Sequence, residues 1–180
     1  MWPVEAKRGK LKGILIVHIG WVSTGTKYVA YAIKTASGKT VNLTVKLVGN
    51  IVDFGRSYDL RKALDLAIGN PLQAHHLIAW EYRGHQVIQE VARNAKKGKD
   101  FFHMNHPNNG FIIEASRNQP NHPLYNARVK AGLDKIQQTF GLNNPSVLKI
   151  ELEKFENFLR NTINSNPNVH LNDIIFDYIP

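Results

Sequence analysis

Six of the eight histidines of this 180-residue chain lie between positions 75 and 122, and His75 and His76 are adjacent. Imidazole is the side chain that serves most readily as a neutral base or a metal ligand near pH 7. The pair leads directly into the apolar residues Leu77 and Ile78. This crowding favours a chemical function for the segment over a purely packing function.

His75 and His76 can divide two chemical roles between them if they lie on an extended segment. Successive side chains of a strand point to opposite faces, so only one imidazole of the pair reaches a given metal ion. The other imidazole is then free to accept a proton from water. Hydrolysis of a phosphodiester needs such a base, a cation that stabilises charge on the phosphoryl oxygens, and positive side chains that hold the backbone.

The charge of the chain favours a polyanionic partner. The formal net charge is +9, and each phosphate neutralised by Lys or Arg releases condensed counterions. Residues 1–62 contain eleven Lys and Arg against three Asp and Glu, whereas residues 136–180 contain three against five. We therefore expect nucleic acid to meet the first two thirds of the chain, with an acidic protein or a membrane surface as the alternatives.

Composition also excludes several classes of protein. The absence of cysteine excludes disulfides and thiolate ligands, so any metal site must use nitrogen and oxygen atoms. No apolar run approaches the roughly 20 residues that a membrane span requires. The hydrophobic content of 43% over 180 residues is sufficient for one substantial core. The expectation is one compact α+β protein with no membrane span.

Residues 1–70 form a basic, β-rich N-terminal segment in this interpretation. Short runs rich in Val, Ile, Thr and Tyr, separated by Ser and Gly, predict a small antiparallel β meander. Its three strands are predicted at residues 14–19, 27–35 and 40–48. A short helix is predicted over residues 58–68, with Ser57 as its N-cap and Gly69 at its end.

Residues 71–141 form the second part and residues 142–180 the third. Apolar spacing predicts a helix over 84–94 and a strand over 111–115. A longer helix is predicted over 123–140, with Pro123 at its first position and Gly141 after its end. The third part begins with an amphipathic helix that is predicted to pack on the core. Its apolar stripe comprises Leu148, Leu152, Phe155, Leu159 and Ile163, and residues 171–180 are interpreted as an edge strand.

Three spaced motifs in the second part resemble the AHH family of nucleases, within the HNH/endonuclease VII superfamily. The motifs are Gln73-Ala74-His75-His76-Leu77-Ile78, Asn108-Asn109-Gly110-Phe111-Ile112 and His122-Pro123-Leu124-Tyr125-Asn126. The resemblance covers residues 71 to about 135. It implies a ββα-metal (HNH-like) nuclease core with flanking helices. The histidine pair lies on the first strand of such a core, Asn-Gly near the start of the second, and His122 at the helix.

The resemblance also implies a role for each matching residue. His75 and His122 would bind one divalent metal ion, and His76 would be the general base that activates water. Asn109 would fix the hairpin or orient the base. Relatives often carry another histidine where this chain has Asn118, and an amide oxygen there favours Mg²⁺ or Mn²⁺ over Zn²⁺, which remains the alternative.

Each role has a plainer alternative. In this alternative, His76 is a hydrogen-bonded histidine of the core, and Asn109 is a turn residue before glycine. His122 caps its helix and Asn118 caps a loop. The candidate phosphate contacts, which are solvated charges in the plainer view, are Lys96, Lys97, Lys99, Arg117 and Arg128. His85 is expected to contact backbone or phosphate. His103 and His106 are expected on the surface, with His106 as a reserve metal ligand. Glu81 and Glu114 are candidates for orienting a ligating imidazole.

The sequence thus predicts a metal-dependent endonuclease that cuts DNA, or alternatively RNA, with little sequence preference. Domains of the family it resembles often form the C-terminal toxin of bacterial polymorphic toxins and secretion-system effectors. That resemblance implies delivery by a bacterial secretion system, action in the target cell cytoplasm, and an acidic immunity protein as partner. The competing functions are a catalytically inactive nucleic-acid-binding module and a structural or delivery-linked domain.

Overall fold

A computed structural model describes residues 9–11, 14–17, 26–94 and 101–180. Its first part is a five-stranded sheet whose strands follow in sequence order and pair antiparallel throughout. The strands are β1 (Gly9–Leu11), β2 (Ile14–Val17), β3 (Thr26–Lys34), β4 (Thr40–Val48) and β5 (Ile51–Asp53). The predicted meander is therefore present. Residues 18 and 19 of its first predicted strand lie outside the described residues.

The long hairpin of β3 and β4 forms the centre of this sheet. Its register runs from Thr26 opposite Val48 to Lys34 opposite Thr40. Leu43 and Val45 are buried whereas Thr44 is exposed, as the alternation of apolar and polar residues predicts. The sheet therefore presents one apolar face to the rest of the molecule.

A second, two-stranded antiparallel sheet carries the paired histidines. It consists of β6 (Gln73–His76) and β7 (Gly110–Ile113). In its register His75 lies opposite Phe111, and His76 lies opposite Gly110. The segment that joins the two strands includes a 3₁₀ turn at Trp80–Gly84 and another at Pro107–Asn109.

The described part of the chain also contains five α-helices, which lie between or after the strands in the sequence. They are α1 (Asp59–Ala63), α2 (Gln86–Asn94), α3 (Ala115–Asn118), α4 (Pro123–Phe140) and α5 (Pro145–Asn164). The bounds of α4 agree with the sequence prediction, and α5 contains the whole apolar stripe predicted for the third part. The mixed architecture of small antiparallel sheets and several helices also agrees with it.

Helix α1 is shorter than the predicted helix over 58–68. Tyr58 precedes it without a side-chain cap, so Ser57 is not its N-cap. Asp65 then has a φ of 58°, a left-handed conformation that is incompatible with a continuing helix. The Asp65 carboxylate accepts a hydrogen bond from the backbone N–H of Ser37 at 2.8 Å. A contact with the first sheet thus accompanies the early end of the helix.

Helices α4 and α5 approach each other very closely at Gly132. A Cβ atom at this position would lie 2.5 Å from Cζ of Phe155 on α5, far inside van der Waals contact. Buried side chains from these helices and from β3, β4 and α2 form one continuous apolar cluster. The sheet and the helices therefore share a single core, while the three-part division of the chain stays a prediction about its organisation.

The C-terminal residues do not form the predicted edge strand. They contain a 3₁₀ turn at Leu171–Asp173 and then run without strand pairing to Pro180. Ile174 and Tyr178 are buried, whereas Ile175 and Ile179 are exposed. The apolar composition thus serves to pack the tail onto the helices. None of the described helices is long and apolar enough to cross a membrane.

Glu156 on α5 is an ionisable group inside this core, with 5% of its surface exposed. Burial, reinforced by Glu153, raises the pKa of Glu156 to about 8, although Lys149 and Arg160 act in the opposite direction. The segment packed against α5 adds His103 and His106 to the same cavity. Glu156 is therefore protonated in the folded protein at pH values where a solvated glutamate is ionised.

We expect Glu156→Gln to stabilise the protein at pH 8 and to have little effect at pH 5. From the ordinary pKa of 4.5 up to about 8, the folded state keeps a proton that the unfolded state loses. The free energy of unfolding therefore falls as pH rises across this window. Each pKa unit is worth about 1.4 kcal/mol, so urea unfolding at both pH values should resolve the gain. Glu114→Gln, at a largely exposed glutamate, is the control. Parallel loss of stability by Glu156→Gln and wild type would contradict the assignment.

Candidate active site

The two adjacent histidines of β6 point to opposite faces of the small sheet. His75 is buried, with 4% of its surface exposed, and its ring faces the start of α4. His76 is partly exposed and lines a groove on the other face. The alternation of side chains along the strand thus separates the two imidazoles, as the sequence predicts.

His75 meets His122 and Tyr125 at the beginning of α4. The ring centroids of His75 and His122 are 5.0 Å apart, and those of His75 and Tyr125 are 5.3 Å apart. The hydroxyl of the buried Tyr125 donates to the carbonyl of Leu77 at 2.9 Å. This bond ties the helix to the end of β6 and keeps the two histidines together.

The polar atoms around this pair include nitrogen and oxygen atoms of the kinds that bind metal ions. His122 Nδ1 donates to the carbonyl of Asn118 at 3.1 Å, which leaves the lone pair of its Nε2 free. Asn118 Nδ2 donates to Gln73 Oε1 at 2.6 Å. No group of the described residues lies in hydrogen-bonding geometry with two buried atoms, His75 Nε2 and Asn118 Oδ1. Buried polar atoms without partners are costly, so these donors fit a bound cation.

The donor set contains two imidazoles and an amide. Among the residues that the structure describes, no three His, Cys, Asp or Glu side chains gather into a metal-binding group. An amide oxygen is outside that definition and is an ordinary ligand for hard cations. His75, His122 and Asn118 are thus brought together by the fold.

The electrostatics of these histidines favour neutral imidazoles. Burial lowers the pKa of His75 well below its usual value, and His122 and His76 lower it further. The neighbouring Asn118 side chain has the opposite effect and raises this pKa. Burial also lowers the pKa of His122, whereas its hydrogen bond to the Asn118 carbonyl raises it. A neutral imidazole offers a lone pair, which both a metal ligand and a base require.

His76 is held by Asn105, a buried residue that the sequence analysis did not single out. Asn105 Oδ1 lies 3.0 Å from His76 Nε2, and Asn105 Nδ2 donates to the carbonyl of Arg56 at 2.9 Å. The second bond fixes which end of the amide faces the histidine. Because an amide oxygen only accepts, His76 Nε2 carries the proton, and Nδ1 carries the lone pair. Burial lowers the pKa of His76, and the bond to Asn105 raises it.

Asn109 holds the loops around the histidines and is fully buried. Its Oδ1 accepts from the backbone N–H of Ile78 at 2.7 Å, and its Nδ2 donates to the carbonyl of Met104 at 3.0 Å. Its own carbonyl accepts from Leu77 N–H at 2.9 Å. Two roles were considered for Asn109, fixing the hairpin and orienting the base. These contacts correspond to the first of them.

The Asn-Gly pair does not form the tight turn that its sequence indicates. Gly110 begins β7 in an extended conformation, with φ −109° and ψ 145°. A Cβ atom there would lie 2.9 Å from Leu60 Cδ1 and 3.0 Å from Leu64 Cδ1. Glycine at this position allows α1 to pack against the strand opposite His76.

The candidate phosphate contacts divide into three groups. Lys96, Lys97 and Lys99 lie outside the described residues. Arg117 is a structural tie, because its side chain is 12% exposed and donates to the carbonyls of Ile163, Asn166 and Val169. This placement corrects the prediction of a surface contact with phosphate. Arg128 is partly buried on α4, with its guanidinium 3.4 Å from the carbonyl of Asn172.

The other histidine candidates have contacts within the protein. His103 is buried rather than on the surface, and burial lowers the pKa values of His103 and His106 to about 4. His106 Nδ1 accepts from the backbone N–H of Asn108. His85 accepts from the backbone N–H of Val87 and also contacts the Asp134 carboxylate at 3.1 Å.

The two glutamates considered as orienting residues do not hydrogen-bond an imidazole. Glu81 accepts from Asn126 at 2.7 Å, although its charge raises the pKa of His122. Glu114 lies 3.7 Å from Arg117. The structure instead gives the orienting role at His122 to the carbonyl of Asn118.

Comparison with known proteins bears on this arrangement. The sequence matches a family model described as AHH, a nuclease family of the HNH/ENDO VII superfamily with conserved AHH, over residues 60–162. No curated protein and no solved structure matches the chain significantly. The matched region exceeds half of the chain. It contains the two-stranded sheet with His75 and His76, as well as Asn118 and His122. The chain therefore belongs to the AHH family of nucleases.

Proposed function

We propose that this protein is an endonuclease that hydrolyses phosphodiester bonds of DNA with the help of one divalent metal ion. Family membership implies a nuclease, and nucleases of this superfamily generally use a divalent metal. The observation that carries the proposal is the pair of unpartnered buried atoms, His75 Nε2 and Asn118 Oδ1, beside His122. RNA is the alternative substrate.

His75, His122 and Asn118 would hold the ion, with His122 oriented by its bond to the Asn118 carbonyl. When bound, a divalent ion stabilises the negative charge that develops on the phosphoryl and leaving oxygens. Mg²⁺ or Mn²⁺ is favoured because one of the three donors is an amide oxygen, whereas Zn²⁺ favours an all-imidazole set.

His76 would act as the general base on the groove side of the sheet. Its Nδ1 takes a proton from water, the water oxygen forms a bond to phosphorus, and the bond from phosphorus to the leaving oxygen breaks. Asn105 accepts from Nε2–H and so keeps the lone pair on Nδ1. This bond also favours the imidazolium that exists after proton transfer.

We expect purified protein to cut plasmid DNA in Mg²⁺ or Mn²⁺ and to leave it intact in a chelator. His76→Ala should lower kcat by about 100- to 10,000-fold, the usual contribution of a general base. Rates are measured from the loss of supercoiled plasmid, with a parallel assay on RNA. His85→Ala, a histidine on the Asp134 contact, is the matched control. Intact plasmid and RNA with every metal would refute the nuclease proposal, and an active His76→Ala would refute the assigned base.

The metal site has its own test, which does not depend on cleavage. Mn²⁺ should raise the thermal unfolding midpoint of the wild-type protein by mass action. The increase should disappear in His122→Ala and Asn118→Ala but persist in His85→Ala. Asn118→His should shift the preference towards Zn²⁺, because the donor set then contains three imidazoles. Equal stabilisation of wild type and the first two variants would place the ion elsewhere.

We also propose an antibacterial role, which rests on the resemblance to toxin domains and on the net charge of +9. Delivery through a bacterial secretion system would bring the nuclease into the cytoplasm of a target cell. An acidic immunity protein would complement the basic surface. Induced expression of wild-type protein should therefore stop growth of a bacterial host, whereas His76→Ala at equal soluble level should not. Normal growth with soluble, active nuclease would contradict this role.

A further inference from the structure

The groove beside His76 has a wall that the family model does not include. The groove is bounded by β6 on one side and by the chain entering α1 on the other, with Ser57 and Tyr58 among the lining residues. The family match begins at residue 60. The part of the wall formed by Ser57 and Tyr58 therefore lies outside the matched region.

Tyr58 presents an aromatic ring beside the proposed base. It is 52% exposed, whereas Tyr31 and Tyr125 are buried in the core. Both Tyr58 and His76 line the same groove. An exposed aromatic ring in a nucleic-acid-binding groove is a surface on which a base stacks, irrespective of sequence.

The backbone at Arg56 holds this wall in a fixed position relative to His76. Its carbonyl accepts from Asn105 Nδ2 at 2.9 Å, and Asn105 Oδ1 lies 3.0 Å from His76 Nε2. The side chain of Arg56 is 76% exposed. Its guanidinium lies 3.7 Å from Asp59, whose carboxylate also pairs with Lys62 at 3.0 Å. Arg56 and Asp59 line the neighbouring cavity, so neither of them contributes to the lining of the groove.

Arg61 places a positive charge in the lining of the groove. Its guanidinium donates to the carbonyls of Leu72, Ala67 and Asn70 at 2.8–2.9 Å. These partners are neutral, so the hydrogen bonds fix the side chain without cancelling its charge. The same bonds hold the chain that leads into β6 and thus make the groove wall rigid.

The described lining of this groove contains no carboxylate. In contrast, one neighbouring cavity includes Glu153 and Glu156, and another includes Asp53 and Asp59. A phosphodiester backbone is repelled by acidic linings and attracted to the groove beside His76. Charge and position therefore select the same surface.

We infer that this groove is a binding subsite for an unpaired nucleotide, with Tyr58 stacking on its base and Arg61 supplying the positive charge of its lining. The inference rests on the proposed function and names its preferred substrate, a single-stranded or locally unpaired strand. The face of a base is available to a side chain only when the base has left its own stack. Tyr58 is a substrate-positioning residue and leaves proton transfer to His76.

Binding to His76→Ala protein in a chelator tests the inference without cleavage. The probes are a fluorescein-labelled single-stranded DNA, the RNA of equal sequence and the corresponding duplex. We expect single strands to bind more tightly than the duplex. Tyr58→Leu should weaken single-strand binding at least about fivefold, and Tyr58→Phe should retain it because stacking needs only the ring. In the active protein the same changes should alter KM and leave kcat nearly constant.

Unaltered single-strand binding in Tyr58→Leu, or tighter binding of duplex, would overturn the inference. Because plasmid cleavage by the wild type is measured separately, such a result would leave the proposed nuclease function standing.

Discussion

The opposite orientation of two neighbouring side chains on a strand is the constraint on which this site depends. His75 and His76 are consecutive, so the pleat sends one imidazole inwards to α4 and the other outwards to the groove. A shift of one residue in the register of β6 would exchange these environments. The pairing of His76 with Gly110, and the close packing of Leu60 against that glycine, hold the register. A steric restriction on a residue without a side chain thus supports the chemistry of its neighbour across the sheet.

Long-range hydrogen bonds to buried amides complete this arrangement. Asn109 binds the chain after β6 at Ile78 and the preceding loop at Met104, so it connects both ends of the long segment between the strands. Asn105, in the same loop, connects His76 to Arg56. Both amides are completely buried, where an unsatisfied polar group is costly. Each therefore favours one arrangement of several segments over many loose alternatives.

The sequence predicted the parts of the fold that local patterns determine. The apolar stripe of α5 and the proline and glycine that bound α4 gave helices in the right places, and the alternation in β4 gave a strand with one buried face. Prediction was weaker where contacts between residues distant in the sequence determine the structure. Helix α1 ends early beside Asp65, which binds the backbone of Ser37, and the apolar tail packs without forming a strand. Neither partner is evident from neighbouring residues.

The same distinction applies to the candidate site. His75, His122 and Asn118 lie near one another, as the resemblance implied. Asn105 escaped notice because an asparagine in a loop carries no local sign that it contacts a histidine 29 positions earlier. Arg117 was interpreted by its charge alone, whereas its hydrogen bonds serve the carbonyls at the end of α5.

The bond between Asn105 and the carbonyl of Arg56 limits how far the nuclease can be treated as a separable module. The acceptor lies four residues before the start of the family match at residue 60. A fragment trimmed to the matched region would keep all three motifs but leave the Asn105 amide without the partner that sets its orientation. The Asn105 amide could then rotate and present its nitrogen to His76 Nε2. Because an amide N–H donates, Nε2 would have to accept, and the proton of the neutral imidazole would move to Nδ1. The loop between β5 and α1, upstream of the matched region, in this sense determines which nitrogen of His76 carries the proton.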